Sequence, residues 1–338
     1  MVTGAGGYIG ATLVDQLLAA GNRVVGLDRY FFGESLLGDT LQHPSFTLLR
    51  RDIREVEAAD FRDIDAVCDL AALSNDPAGA LDERLTYAIN HEARVRAAQL
   101  AKRAGVKRYV LASSCSVYGS GDGKALTEDS VAQPISTYAH ANLKAEQDIL
   151  PLAGAGFTTT ALRQATVFGL AKRMRFDLVV NLMTINAVQK GKIFVTGGGK
   201  QWRPIVHVSD TASAFVGVLD RAPSEVSGRV FNIGSTEHNY QVLSLAYIVR
   251  ESIPFSIELD IVPDDSDARD YNVSFKRAEN ELGFVARFTP ADGAREIYEA
   301  LKFGRVDTGI RTVTVRWYQH IMDAKQLVDS LAIDGRLL

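Results

Sequence analysis

Met1-Val2-Thr3-Gly4-Ala5-Gly6-Gly7-Tyr8-Ile9-Gly10 opens the chain and runs into a helix-like stretch over residues 11–20. A short apolar run, a glycine turn and a helix start are the parts of a cradle for a dinucleotide's phosphates. Gly4 permits a sharp turn, Gly7 removes the Cβ that would block a pyrophosphate, and Gly10 lets helix and strand approach closely. The helix start, with Tyr8 and Ile9, presents free N–H groups and a positive dipole end to that pyrophosphate. A glycine triplet alone is more often an ordinary turn, so context decides. Val24-Val25-Gly26-Leu27-Asp28 predicts a second strand ending in an acid 18 residues beyond Gly10. An acid there is placed for the hydroxyls of an adenosine ribose. It would repel a 2′-phosphate, which favours NAD over NADP. Arg29 reads as a solvated loop cation.

The chain has 338 residues, enough for one large domain or two lobes. Its 37 basic and 41 acidic residues leave a net charge of −4. That balance gives no reason to expect a nucleic-acid or membrane partner. Basic clusters such as Lys172-Arg173-Met174-Arg175 are short and local. Two cysteines, Cys68 and Cys115, are too few for a disulfide framework or a metal site. With no signal-peptide pattern and no apolar run long enough for a bilayer, a soluble cytoplasmic enzyme is the expectation. The three residues before Gly4 make an unusually short first strand. Either a few native residues are missing there or the start is tightly trimmed.

Strand-like and helix-like segments alternate through the first half, which predicts a parallel α/β sheet. Strands are expected over residues 24–27, 47–50, 66–70, 108–113 and 158–163, and helices over 11–20, 85–104 and 137–150. Pro134 and Ser136 signal the start of the last helix. After Phe168-Gly169 the pattern loosens into short helices and loops, with a strand then helix over 203–219 and a strand at 230–233. The expected fold is a Rossmann-type doubly wound parallel sheet with a smaller C-terminal substrate-binding lobe. Residues 1–165, with returning segments near 204–234, would form the dinucleotide domain, and 166–338 mainly the lobe.

The strand near Tyr109 ends in Ser113-Ser114-Cys115-Ser116-Val117-Tyr118-Gly119, and hydroxyls at such a strand end project into the ligand crevice of open α/β sheets. Some twenty residues later comes Ser136-Thr137-Tyr138-Ala139-His140-Ala141-Asn142-Leu143-Lys144-Ala145-Glu146. With the glycine loop, this resembles the extended short-chain dehydrogenase/reductase family, which includes nucleotide-sugar epimerases and dehydratases. The likeness covers nearly the whole chain. It takes in Asp52-Ile53, Leu70-Ala71-Ala72, Asn90, Leu162-Arg163, Asn181-Leu182 and the run from Arg203 to Asp210.

The resemblance implies NAD as cofactor, with Asp52 and Ile53 at the adenine, Leu70, Ala71 and Ala72 under the phosphates, and Asn90 nearby. Ser114 would bond the reacting sugar oxygen and Tyr138 would be the general acid/base. A phenol is a poor base at neutral pH, since its unperturbed pKa is about 10. Family members lower it with a lysine four residues later, which also binds the nicotinamide ribose. Here that position is Asn142, which can bond a ribose but carries no charge. Lys144 is no substitute, because six residues on it points to the opposite helix face. It and Glu146 read as an exposed face.

Dehydratases of the family carry an Asp-Glu pair just after the catalytic hydroxyl, where this chain has Cys115 and Ser116. Cys115 is a candidate acid/base, with a small core residue as the plainer reading. For the substrate, a nucleoside-diphosphate sugar, the resemblance implies Ser114, Thr166, Asn181, Arg203 and Arg269, the arginines neutralising its diphosphate. A structural ion pair with Asp267 or Asp270 is the alternative for Arg269. Arg175 and Asp177 are further lining candidates, and His207 reads as a structural strand histidine. The resemblance also implies a homodimer formed through the helices near 85–104 and 137–150. The function expected is sugar epimerisation by transient oxidation. A ketoreductase, an atypical dehydratase or a weakly catalytic binding protein are the alternatives.

Overall fold

In the computed structural model, which describes residues 1–121, 124–262, 270–333 and 336, strands and helices alternate from the first residues. The chain opens with β1 (Val2–Thr3), α1 (Tyr8–Ala19), β2 (Val24–Asp28), β3 (Phe46–Arg50) and β4 (Ala66–Asp69). Short helices α2 (Asp76–Gly79) and α3 (Glu83–Tyr87) lead through a π turn into α4 (Arg94–Arg103). Next come β5 (Arg108–Ser114), β6 (Ala125–Leu126), α5 (Thr137–Ile149), β7 (Thr158–Gln164) and β8 (Thr166–Phe168). Then follow α6 (Val179–Lys190), β9 (Lys192–Val195), β10 (Trp202–His207), α7 (Val208–Leu219), α8 (Pro223–Val226) and β11 (Arg229–Ile233). The remainder is β12 (Asn239–Gln241), α9 (Val242–Ser252), β13 (Glu258–Ile261), β14 (Asn272–Val273), α10 (Lys276–Leu282), α11 (Pro290–Lys302) and α12 (Thr314–Leu331).

Seven strands pair in the order β11-β7-β5-β4-β1-β2-β3, every pair parallel. This is the Rossmann-type sheet that the alternation predicts. Both of its faces are covered, which is why its strands tolerate continuous apolar runs. On one face Leu13, Val14 and Leu17 of α1 pack with Ala212, Phe215 and Val218 of α7 against Val2, Cys68 and Val110. On the other, Ala97, Ala98 and Ala101 of α4 and Ala145 and Ile149 of α5 meet Val67, Tyr109 and Leu111.

The segment near 204–234 splits. α7 and β11 join the large sheet and its helix layer, whereas β10 belongs to a separate three-stranded sheet, β12-β10-β8. Beyond Phe168 the chain is also more helical than its looser pattern predicts. α6, α9 and α11 pack around Met183, Ala187, Leu245, Ala246, Val249 and Ala294.

One expected surface residue is interior. Lys144 is exposed as the helix geometry predicts, but Glu146 is only 2% exposed. Its carboxylate accepts hydrogen bonds from Arg163 of β7, at 2.6 Å from Nη2 and 3.0 Å from Nε, and from the Ser113 hydroxyl. Glu146 lies one turn beyond Asn142, on the sheet-facing side, and a buried arginine on the facing strand makes an acid there sustainable. Removing one partner alone strands the other charge in the interior. Glu146→Ala is therefore expected to lose about 3–5 kcal/mol of unfolding free energy in urea titrations followed by circular dichroism. Glu146→Leu combined with Arg163→Met is expected to recover most of it. An unchanged midpoint in Glu146→Ala would show that this pair does not hold α5 to the sheet.

Candidate active site

Strand order reverses between β1 and β4, which opens a crevice at their carboxyl ends. The turn after β1 and residues 70–72 after β4 face each other across it. Gly4 has φ +71°, and a Cβ there would stand 2.8 Å from the Leu70 carbonyl atoms. A Cβ on Gly10 would lie 2.0 Å from the Gly4 backbone oxygen, so helix and turn touch only because residue 10 is glycine. Thr3 pins the opposite wall. Its hydroxyl donates to Asp69 Oδ1 at 2.6 Å and accepts the N–H groups of Leu70 and Ala71 at 3.1 Å.

Gly7 precedes α1 at the N-cap position, with no side-chain cap and no acid in the helix's first turn. Its leading N–H groups are thus left for an anion in the cleft lined by Gly7, Tyr8, Ile9 and Gly10. Asp28 lines the same cleft. Its carboxylate accepts the N–H of Gly6 at 2.9 Å and of Tyr30 at 2.7 Å, and each oxygen keeps a lone pair for a ribose hydroxyl. Burial raises its pKa, against the pull of those hydrogen bonds. Asp52 and Ile53 also face the cleft. The hydrogen bond from Arg54 holds Asp52 below the usual carboxylate range, and Arg29, the expected loop cation, pairs with it at 3.0 Å. An open helix start, a side chain absent at Gly7 and an acceptor at the end of β2 together fit an adenine dinucleotide.

The cleft continues to Ser114, Tyr138, Asn142 and Thr166. Ser114 ends β5, and its Oγ accepts the Ser116 N–H at 3.1 Å. Tyr138 sits in the first turn of α5, which Ser136 caps by accepting the Ala139 N–H at 3.1 Å. Ser136 also donates to Asp76, which lines the cleft beside it. Burial pushes the Tyr138 phenol up, and the charge of Asp76 adds to this, while the Ser114 hydroxyl and the guanidinium groups of Arg94 and Arg175 oppose it.

Asn142 is held on both sides. Its Nδ2 donates to the Tyr138 carbonyl at 2.9 Å, and its Oδ1 accepts from Arg94 Nη1 at 3.0 Å. Arg94 is wholly buried and ion-paired with Asp69 at 3.0 Å. Its Nη2 donates to the carbonyls of Asp69 and Ala112 at 3.0 and 2.6 Å.

Other expected residues lie elsewhere. Cys115 is 1% exposed, bonds the Arg163 carbonyl through Sγ and has its thiol pushed far up by burial. It packs in the core with Val117, Tyr118 and Ala165, which fits the plainer of its two readings. Asn90 is buried outside the cleft lining and clamps both the N–H and the carbonyl of Leu73, so it shapes the loop after β4. Asn181 is likewise fully buried. It accepts the Gly169 N–H at 2.9 Å and donates to Tyr8 Oη at 3.1 Å and the Arg175 carbonyl at 2.9 Å. Both of its amide hydrogens are thus used within the protein, where they brace the glycine turn against the segment after β8. Arg203 is buried on β10, donates to the Trp202 carbonyl at 2.8 Å and is outside the cleft lining. Arg269 lies outside the described residues. Arg175 does line the cleft, held by Asp177 at 3.1 Å, whereas Asp177 itself is set back. His207 is structural, with Nε2 at 2.7 Å from Glu296 Oε1 and Nδ1 accepting the Ser209 N–H.

Local patterns gave no warning of Asp76, Arg173, Phe31, Phe32 and Tyr318, all of which line the cleft. Tyr318 reaches it from α12, at the far end of the chain. Among the described residues no cluster of three or more His, Cys, Asp or Glu could hold a metal ion.

Residues 1–234 match the family model described as the NAD dependent epimerase/dehydratase family. UDP-glucose 4-epimerase of Mycolicibacterium smegmatis is 30% identical over 311 residues, covering 88% of this chain and 97% of that protein. UDP-glucuronic acid decarboxylase 1 of Danio rerio is 25% identical over 274 residues, 79% of this chain, and the chain spans 63% of that protein's length. Among solved structures, MoeE5 in complex with UDP-glucose and NAD aligns with a TM-score of 0.78 at 28% identity, over 90% of this chain and 99% of that one. The dTDP-glucose 4,6-dehydratase DesIV of Streptomyces venezuelae, with NAD bound, aligns with a TM-score of 0.77 at 25% identity, over 94% and 96%. The matched region holds the whole glycine cradle together with Ser114 and Tyr138, and the chain belongs to the NAD-dependent epimerase/dehydratase family, with NAD as its cofactor.

Proposed function

We propose that the protein epimerises a nucleoside-diphosphate sugar, of the UDP-sugar class named by its relatives, through transient oxidation at a carbinol carbon. The observation that carries this reading is one continuous cleft joining the glycine turn and Asp28 to Ser114 and Tyr138. NAD, when bound, supplies a hydride acceptor. Ser114 orients the sugar hydroxyl, and Tyr138 takes its proton and later returns it. Burial works against the phenolate, so Arg94 and Arg175 matter as the cations that favour it. Neither Cys115, which is buried, nor Ser116 provides a carboxylate for expelling water, so epimerisation is favoured over 4,6-dehydration.

Asn142 supports a second reading, that of a weak catalyst serving mainly to bind NAD and a nucleotide sugar. Arg94 already has its charge answered by Asp69, so its field at the phenol is weaker than that of an unpaired lysine. The homodimer through the outer faces of α4 and α5 stays in the proposal on the resemblance alone. Among the described residues no helix is long and apolar enough to cross a membrane.

Incubation of the NAD-loaded protein with UDP-glucose and UDP-glucuronic acid, followed by NMR, is expected to show inversion at one carbon without net NADH. Accumulating keto-sugar would indicate the dehydratase or decarboxylase branch, and no turnover of either would favour the binding reading. Tyr138→Phe is expected to lower kcat by about 10² or more while NAD remains bound. Because the phenol lies above its ordinary value, kcat is expected to rise with pH into the alkaline range. Asn142→Lys places a cation one helical turn away and is expected to move that rise down by about one pH unit or more. A pH profile that stays in place would remove Tyr138 as the titrating group.

A further inference from the structure

Arg173 has no role in the chemistry above, and its surroundings are unusual for a cation. It lies in the loop after β8, is 3% exposed, and its guanidinium stands 3.7 Å over the ring of Phe32. Nη2 donates to Thr314 Oγ1 at 2.9 Å and to the Arg311 carbonyl at 3.4 Å. Nε is buried and has no hydrogen-bond partner. Nearby Arg175 and Arg311 pair with Asp177 and Asp307, but Arg173 has no ion-pair partner among the described residues. Burial, reinforced by the charge of Arg175, pushes its pKa down to about 10. A buried cation with an unused donor is unfavourable unless an anion completes it.

The position of Arg173 narrows the anion. It lines the same cleft as Gly7, Ile9 and Asp28, and the ring beneath it follows Asp28 by four residues. A diphosphate at the start of α1 would lie in the same cleft as Arg173. The contacts that set the guanidinium come from the other end of the chain. Besides Thr314, Arg311 donates to the Phe32 carbonyl at 3.1 Å, and Trp317 Nε1 to the Phe31 carbonyl at 2.8 Å. Tyr318 packs against both phenylalanine rings, at 6.1 and 5.7 Å between centroids.

We propose that Arg173 binds a diphosphate in the cleft, that of the dinucleotide, and that the first turns of α12 act as the bracket holding it there. Thr314 and the Phe32 ring are positioning residues. A sugar nucleotide carries a diphosphate of the same chemistry, so the test separates the two sources. It depends on NAD as cofactor and not on the epimerase reading.

The full chain, freed of co-purified nucleotide, is titrated calorimetrically with NAD, ADP and UDP. Arg173→Gln is expected to weaken NAD and ADP about tenfold or more and to leave UDP nearly unchanged. Arg173→Lys, which keeps the charge but not the planar fork, is expected to recover part of the loss. Thr314→Val, which keeps the charge but removes the anchor, is expected to lose affinity for NAD several-fold. Wild-type affinity of Arg173→Gln for NAD and ADP would overturn the proposal. A loss confined to UDP would overturn the choice of the dinucleotide. If Arg173→Gln does not give a native circular-dichroism spectrum, the other two variants decide, and wild-type NAD binding in both would overturn the proposal.

Discussion

The Arg94 guanidinium is the joint on which the rest of the site depends. It spends its donors on the Asp69 carboxylate, two backbone carbonyls at the ends of β4 and β5, and the amide of Asn142 on α5. Asp69 in turn takes the hydroxyls of Thr3 and Tyr109. The wall of the coenzyme cradle and the helix bearing the phenol thereby meet at one buried ion pair. A pair of this kind adds little net stability against apolar replacements, but losing either member leaves a charge stranded in the interior. Its value lies in geometry, since it fixes where Tyr138 stands relative to the glycine turn.

The same joint shapes the electrostatics of the reaction. Asn142 stands where the family resemblance leads one to expect a lysine, and the Arg94 guanidinium bonds its amide oxygen. That amide is oriented without ambiguity, because its oxygen faces a donor and its nitrogen faces the Tyr138 carbonyl. Asp76 and burial disfavour the phenolate, and Arg94 and Arg175 favour it, each moderated by its own carboxylate partner. The phenol thus sits in a field of opposed, partly cancelled charges. Small changes in charge nearby therefore carry large consequences for its protonation.

How much could be read from the residues alone follows from what each feature requires. The cradle needs glycines at fixed offsets and an acid at a strand end, and both are local patterns. Tyr138, Ser114 and the alternation of the sheet are local in the same sense. Arg94, Arg173, Tyr318 and Glu146 owe their positions to partners far along the chain, which spacing does not encode. The buried contacts of Asn90 and Asn181 are hidden for the same reason. Their amides bond Leu73, Gly169, Tyr8 and the Arg175 carbonyl, partners that sequence spacing does not reveal. The region beyond Phe168 is hard to read because α6, α9 and α11 bury their faces against one another, so its apolar residues follow no sheet-like rhythm.

The phenol of Tyr8 joins the glycine turn to residues made much later. It donates to the Gly169 carbonyl at 2.5 Å and accepts from Asn181, 173 positions downstream. Contacts of such separation are closed late, after the entropy of a long loop has been spent. During synthesis the glycine turn leaves the ribosome well before Gly169 and Asn181, so this contact stays open until they have followed. The most easily recognised stretch thus waits on residues far downstream to complete its packing.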